Sequence, residues 1–227
     1  MLIYADMISP EMRSNTENEE MREARFTNPY FKIVSPNVAL ERIRSWQKED
    51  KRVVMVDAVL DLPHVAHAEY FLACANLGDK LTLRVNSDAF VAKRKDPRGP
   101  IVKWEERAKH AAHYPYIDLI TSKDEGGWDW LQEYNPDVII KSITSGSAVL
   151  EEIDKVKPYL IGLRTTLIVM DEYGNIIPIE QAQQKGSEYE ADKLTTQRIS
   201  GSIIKDEIIK RSRDSGVIVD FTQDKNG

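Results

Sequence analysis

Cysteine occurs once in the 227 residues, at Cys74. A single thiol excludes an intramolecular disulfide framework and any cysteine-rich zinc site. Long apolar runs are missing too: no uninterrupted stretch reaches the roughly 18 residues of a membrane span. Met1 to Met7 carries no basic segment and leads into Ser-Pro and an acidic stretch, so a secretory signal is not expected. A cytoplasmic, reducing home is the default expectation. Positive charge is not in excess, since 31 Lys and Arg stand against 37 Asp and Glu for a formal charge of −6. That balance argues against sequence-independent nucleic-acid binding, which needs a basic face. Histidine is scarce, and its four copies fall in two pairs of i, i+3 spacing: His64 with His67, and His110 with His113.

The length suits one domain with extensions better than two full domains. Residues 1–36 read as a polar arm with one helical piece around residues 17–25, residues 37–213 as the domain, and residues 214–227 as a tail. Residues 37–49 predict a helix, with Ala39, Ile43 and Trp46 at helical spacing and Ser35 or Asn37 as its cap. Apolar, β-branched runs predict strands at 52–60, 80–86, 116–121 and 137–141. Between them, helices are expected at 65–76 and 104–113, with a short one at 128–133. This alternation indicates an α/β fold: a Rossmann-like parallel sheet with helices on both faces. After residue 141 the rhythm changes. A helix is expected at 149–156, and a strand-like stretch at 160–172 turns through Tyr-Gly-Asn into a β-hairpin. Residues 180–198 read as a polar loop and 199–213 as a last helix, so 160–198 is an inserted segment.

The most informative stretch is Asp61-Leu-Pro-His64-Val-Ala-His67, just after the first strand and at the opening of the next helix. Open α/β sheets bind ligands at the carboxyl ends of their strands. A helix N-terminus there offers free backbone N–H groups and the positive end of a dipole, both suited to phosphate. Histidines three apart share one face of the turn. Each imidazole can donate to phosphate oxygens, so His64 and His67 are placed to grip a polyphosphate. No third His or Cys lies close in sequence, so no metal site is expected there. The second pair, His110 and His113, follows Trp-Glu-Glu-Arg-Ala-Lys on a mid-chain helix and reads as a surface or interface face.

The frame Ala58-Val59-Leu60-Asp61-Leu62-Pro63-His64-Val65-Ala66-His67 resembles the nucleotidyltransferase superfamily with the HxGH motif, whose members read G-x-F-D-x-x-H-x-G-H. The likeness is greatest to the adenylyltransferase domain that activates heptose 1-phosphate, with glycerol-phosphate cytidylyltransferases as cousins. It also rests on Val85-Asn86-Ser87-Asp88, Lys95, Pro100-Ile101, Glu106-Arg107-Ala108, Pro136 to Lys141, and Ile199-Ser200-Gly201-Ser202. The resemblance implies transfer of a nucleoside monophosphate, AMP favoured, from a nucleoside triphosphate to a sugar- or alcohol-phosphate, with release of pyrophosphate. It implies Mg²⁺ as cofactor, ATP favoured and CTP as the alternative, a small phosphorylated partner, and no nucleic-acid or membrane partner. A homodimer is the expected assembly, with the apolar helix face near Trp46 as a candidate interface.

By the same resemblance, His64, His67 and Lys95 are the catalytic candidates. Ala58, Val59, Leu60, Asp61, Asp88, Lys141, Ser200, Gly201 and Ser202 join the two histidines in holding the nucleotide, and Arg107 and Lys95 face the acceptor. Simpler roles stand beside these. Lys95 lies in a charge run that also reads as a solvated loop, Arg107 as a solvated charge on a helix, and Asp61 and Ser200 as helix caps. The chain departs from the family where Ala58 and Ala66 replace motif glycines, and where Lys141-Ser-Ile-Thr-Ser replaces Lys-Gly-Gly-Asp-Tyr. These departures keep open a catalytically impaired relative, acting as a nucleotide-binding or assembly module.

Overall fold

In a computed structural model of the protein, the described residues are 28–94, 99–144, 149–171 and 173–195, with residue 210. The chain divides into two compact units, residues 1–31 and 32–227, and the larger holds the sheet. In the smaller, the Tyr30 amide donates to Asn28 Oδ1 at 3.0 Å. The helical piece expected around 17–25 lies outside the described residues.

In the larger unit, α1 (Pro36–Lys48) starts where Ser35 Oγ accepts from the Val38 amide and Pro36 occupies the first turn. Next come β1 (Val53–Ala58), α2 (Val65–Ala75), β2 (Lys80–Asn86), α3 (Asp88–Arg94) and α4 (Trp104–Ala112). The chain continues through β3 (Leu119–Lys123), α5 (Trp130–Tyr134), β4 (Val138–Ser142), α6 (Val149–Val156), β5 (Thr166–Met170), β6 (Ile176–Ile177) and α7 (Ala182–Thr195). The sheet order is β3-β2-β1-β4-β5-β6, with β1 to β5 parallel and β6 antiparallel. This is the Rossmann-like α/β arrangement, and the strand order reverses beside β1.

Both faces of the sheet are covered. On one, Phe71 and Cys74 of α2 and Ala108, Ala111 and Ala112 of α4 pack against Val54, Val56, Leu83 and Val85. On the other, Ala39 and Ile43 of α1 cover Val53, Met55 and Leu119, and Val149 and Ile153 of α6 meet Val169 of β5. Each fully buried aliphatic side chain contributes about 1.5–3 kcal/mol. The turn from α2 into β2 passes so close to β1 that a Cβ at Gly78 would stand 2.6 Å from the Arg52 carbonyl oxygen. No other residue fits there without displacement.

Several expectations shift. The third strand begins at Leu119, because Asp118 turns its carboxylate to the Leu81 amide and Lys80 Nζ, both at 2.9 Å. Helix α3 is an addition. The stretch at 160–172 is extended only over Thr166–Met170, since Lys157–Leu160 forms a 3-10 turn around Pro158. The expected hairpin is present as β5 and β6, its turn held by Asp171 Oδ1 accepting from the Tyr173 and Asn175 amides. Residues 180–198 are not a loop: α7 runs from Ala182 to Thr195, anchored where Ala182 and Tyr189 join the α6 cluster. The last expected helix, 199–213, lies outside the described residues except for residue 210, which is helical.

Candidate active site

β1 ends at Ala58 between β2 and β4, so the loop that follows opens at the point where the strand order reverses. Two of its non-glycine residues take left-handed backbone, Leu60 at φ 57° and Leu62 at φ 96°. Such conformations cost roughly 1–3 kcal/mol each and persist only where neighbours hold them. Here the hold is visible. The Leu60 side chain is buried in the core beside Val56 and Phe71. The Asp61 carboxylate accepts from the Ile101 amide at 3.0 Å and the Val102 amide at 2.9 Å.

Beneath the loop lies Arg107, whose side chain is 0% exposed. Its Nε donates to the Val102 carbonyl at 2.8 Å, Nη1 donates to the Val59 carbonyl, and Nη2 meets Asp88 Oδ1 at 2.5 Å. One guanidinium therefore ties together the loop after β1, the segment before α4 and the first residue of α3. A planar, permanently charged fork suits this work, because its donors diverge in fixed directions. Arg107 and Asp88 are thus bound to each other, and Asp61 is bound to backbone.

The loop delivers His64 as the N-cap of α2, with φ −141° and ψ 172°. The His64 amide donates to His67 Nδ1 at 3.3 Å. A ring nitrogen that accepts carries no proton, so the neutral His67 ring bears its hydrogen on Nε2. The two rings lie 4.1 Å apart, tilted by 53°. The His64 ring in turn faces the His67 amide, closing a reciprocal capping box, with its Nδ1 buried. Burial also lowers the pKa of His64, favouring the neutral ring. With both Nδ1 atoms turned toward the helix cap, the Nε2 edges of the two rings are the ones that can meet a ligand at this helix N-terminus. Ala58 and Ala66, at the motif's glycine positions, are not among the positive-φ residues. Alanine meets no backbone strain at either, and Ala66 sits within the α2 helix, which favours alanine over glycine.

Lys141 stands in β4, its Nζ 3.1 Å from Glu152 Oε2 and 4.3 Å above the Trp128 ring. Lys95, Ser200, Gly201 and Ser202 lie outside the described residues. Among the described residues, no three His, Cys, Asp or Glu side chains come together as a metal cage. His110 and His113 sit at the end of α4, where His110 Nε2 lies 3.2 Å from the Tyr114 hydroxyl. Burial pushes the Cys74 thiol up to about 12, so it is a small core residue rather than a nucleophile.

One group was not singled out from the sequence. Asp57 of β1 receives Arg84 Nε at 2.7 Å, Arg84 Nη2 at 2.9 Å and Lys123 Nζ at 2.5 Å. The signal was present for Asp57 and Arg84 as charges inside strand runs, where a charge is costly unless paired, whereas Lys123 lies past the strand end expected at 121.

The cytidylyltransferase-like family model matches residues 55–207, about two-thirds of the chain, and the chain belongs to that family. The match starts inside β1 and includes the whole histidine loop.

Among curated relatives, the bifunctional protein HldE of Koribacter versatilis (strain Ellin345) is 30% identical over 148 residues, covering 61% of this chain and 30% of that protein. The bifunctional protein HldE of Methylobacillus flagellatus is 32% identical over 124 residues, covering 54% and 25%. The chain spans less than a third of the length of either. Among solved structures, the lipopolysaccharide core biosynthesis protein of Thermoplasma volcanium GSS1 aligns with a TM-score of 0.45 at 22% identity, over 52% of this chain and 95% of that one.

Proposed function

We propose that this domain transfers a nucleoside monophosphate, AMP in preference to CMP, from a nucleoside triphosphate to a sugar- or alcohol-phosphate. The observation that carries the reading is the His64–His67 pair, whose rings lie 4.1 Å apart at the N-terminus of α2, at the reversal of strand order. An oxygen of the acceptor phosphate attacks the α-phosphorus, the bond from that phosphorus to the bridging oxygen breaks, and pyrophosphate leaves. The chain need form no covalent bond. Its work is to position the reactants and to meet charge as it moves toward the leaving group. His67, with its proton on Nε2, donates to that charge, and the α2 N-terminus adds its dipole. The Asp61 and Arg107 ties hold both rings in place. Mg²⁺, when bound, would supply charge neutralisation on the triphosphate. Asp88, which holds Arg107 through Oδ1 and keeps 29% side-chain exposure, would be the carboxylate offered to such an ion.

Lys95 and the Ser200-Gly201-Ser202 helix start complete the proposed phosphate grip, and Lys141 borders the nucleotide from β4. Ala58, Val59 and Leu60 line the same loop. A cytoplasmic homodimer is the proposed form. Among the described residues, no helix is long and apolar enough to cross a membrane. The curated relatives support the sugar-phosphate side of the reading, within the segment that they share with this chain.

A second reading, a nucleotide-binding module without turnover, has one observation in its favour: Arg107, offered above to the acceptor, is wholly buried and engaged by loop carbonyls and Asp88. Incubation with each nucleoside triphosphate, Mg²⁺ and a panel of sugar and alcohol phosphates, with pyrophosphate as readout, separates the two. Turnover with ATP is expected. Nucleotide binding without turnover favours the second reading, and neither binding nor turnover overturns both.

A further inference from the structure

On the face of the sheet opposite α2 and α4, the carboxyl ends of β1, β2 and β3 hold charges that the transfer chemistry does not use. Asp57, Arg84 and Thr121 are register partners across three strands, and Asn86 pairs with Lys123 two residues further along. Arg84 is 5% exposed and Lys123 9%. Two cations share one carboxylate, so the cluster carries a net positive charge in a buried setting, where charge is costly unless balanced. Burial lowers the pKa of Lys123, and Asp57 opposes that. Trp130 lies flat over the cluster, its ring centroid 3.4 Å from Arg84 Cζ.

This group does not close on itself. Asn86 Oδ1, Thr121 Oγ1 and Trp130 Nε1 are all buried without a hydrogen-bond partner, and Asn86 and Thr121 are 7% and 0% exposed. Buried polar groups are rarely left so, and the two whose hydrogen-bonding sense is fixed specify what is missing. Trp130 Nε1 can only donate, so it requires an acceptor; Asn86 Oδ1 can only accept, so it requires a donor. The net charge requires an anion. A fully ionised phosphate offers acceptors but no donor. A carboxylate with a neighbouring hydroxyl offers both.

We propose that this cluster binds the hydroxy-carboxylate end of the acceptor, so that the acceptor is a phosphorylated hydroxy acid rather than a neutral polyol phosphate. The proposal rests on the transfer reading above and names its substrate class. Asp57 directly precedes Ala58 and the histidine loop, so the cluster and the phosphate-binding turn open at the same strand ends. The carboxylate lies against Lys123 and Arg84, accepts from Trp130 Nε1, and its neighbouring hydroxyl donates to Asn86.

Calorimetry on the full chain with D-gluconate 6-phosphate and D-sorbitol 6-phosphate tests this, since the two differ only in a carboxylate against a CH₂OH at one end. The carboxylate should tighten binding roughly ten-fold or more, as expected for hydrogen bonds to a charged group. Trp130→Phe keeps a ring over Arg84 and removes the N–H, and Lys123→Met keeps the stem and removes the charge. In each, with folding checked by thermal melting, the preference should shrink severalfold or more. Equal affinity for the two probes, no saturable binding of either, or an undiminished preference in Trp130→Phe would overturn the proposal. Pyrophosphate release is measured alongside. A carboxylate preference without turnover retains the site and removes the transfer reading. Equal turnover of both probes retains transfer and removes the site.

Discussion

His64 and His67 open one helix, and His110 and His113 close another. The spacing within each pair is the same, and the surroundings are opposite. α2 presents its first N–H groups and the positive end of its dipole beside His64 and His67. α4 ends at His110 and His113 with its last carbonyls and the negative end. An anion is attracted to the first terminus and repelled by the second. The first pair also follows a strand end at the reversal of sheet order, whereas His110 is occupied with Tyr114. Two histidines at i, i+3 therefore say little until the helix end and the strand before it are known.

The comparison can be broken or sharpened by substitution, starting with the scaffold beneath the first pair. Arg107→Ala leaves the Val59 and Val102 carbonyls and Asp88 without their partner, and should cost about 3–5 kcal/mol of stability in urea unfolding. A cost under about 1 kcal/mol would show that the loop holds itself. Next, His67→Ala should lower pyrophosphate release about 10²–10³-fold while the protein stays folded, its lost cap to the His64 amide lowering the melting temperature by only a few degrees, and His110→Ala should stay within about two-fold. Equal losses in the two variants would erase the distinction between the pairs. Asp61→Ala strips the acceptor from the Ile101 and Val102 amides, and should cost about 1–3 kcal/mol by the same unfolding measurement.

The smallest effect concerns what the pairs share. Burial lowers the pKa of both His64 and His110 from the ordinary 6.5, with His113 adding to the shift at His110. Below 6.5 the unfolded chain takes up a proton before the native ring does, so stability should fall as pH drops through that window and level off above it. His64→Gln and His110→Gln should each flatten the melting temperature between the lowered value and pH 6.5. A slope unchanged in both would mean that neither ring titrates with folding.

The acid end carries a different group. At Asp57 burial pushes the carboxyl up, but Arg84 and Lys123 beside it win and hold it well below the usual carboxylate range. Its contribution to stability is present above the ordinary 3.8 and should be lost as pH falls below that value. Thermal melts of Asp57→Asn against the parent protein from pH 6 down to pH 2 would show the gap closing.

Much of the fold was legible because its elements obey local rules. The short, β-branched Val-Val-Met-Val run suits a buried strand, and Val149, Ile153 and Val156 repeat at helical spacing, as α6 does. Helix α7 was illegible for the opposite reason. Its fourteen residues are mostly polar, and it is anchored by Ala182 and Tyr189 meeting α6, a contact that no window of sequence contains. Arg107 shows the same limit within the site. On the helix Trp-Glu-Glu-Arg-Ala-Lys it reads as one charge among several, yet its partners come from Val59, 48 residues back, and Asp88, 19 back.

By itself the sequence determined the alternation of strands and helices, the family frame, and the placing of His64 and His67 where a strand hands over to a helix. Each depends on neighbours a few residues apart. Only the tertiary structure decided that Arg107 is a buried tie, that the His64 and His67 rings stand 4.1 Å apart, and that Asp57, Arg84 and Lys123 form one charged cluster beneath Trp130. Those outcomes depend on which strands lie side by side and on how deeply each charge is removed from water.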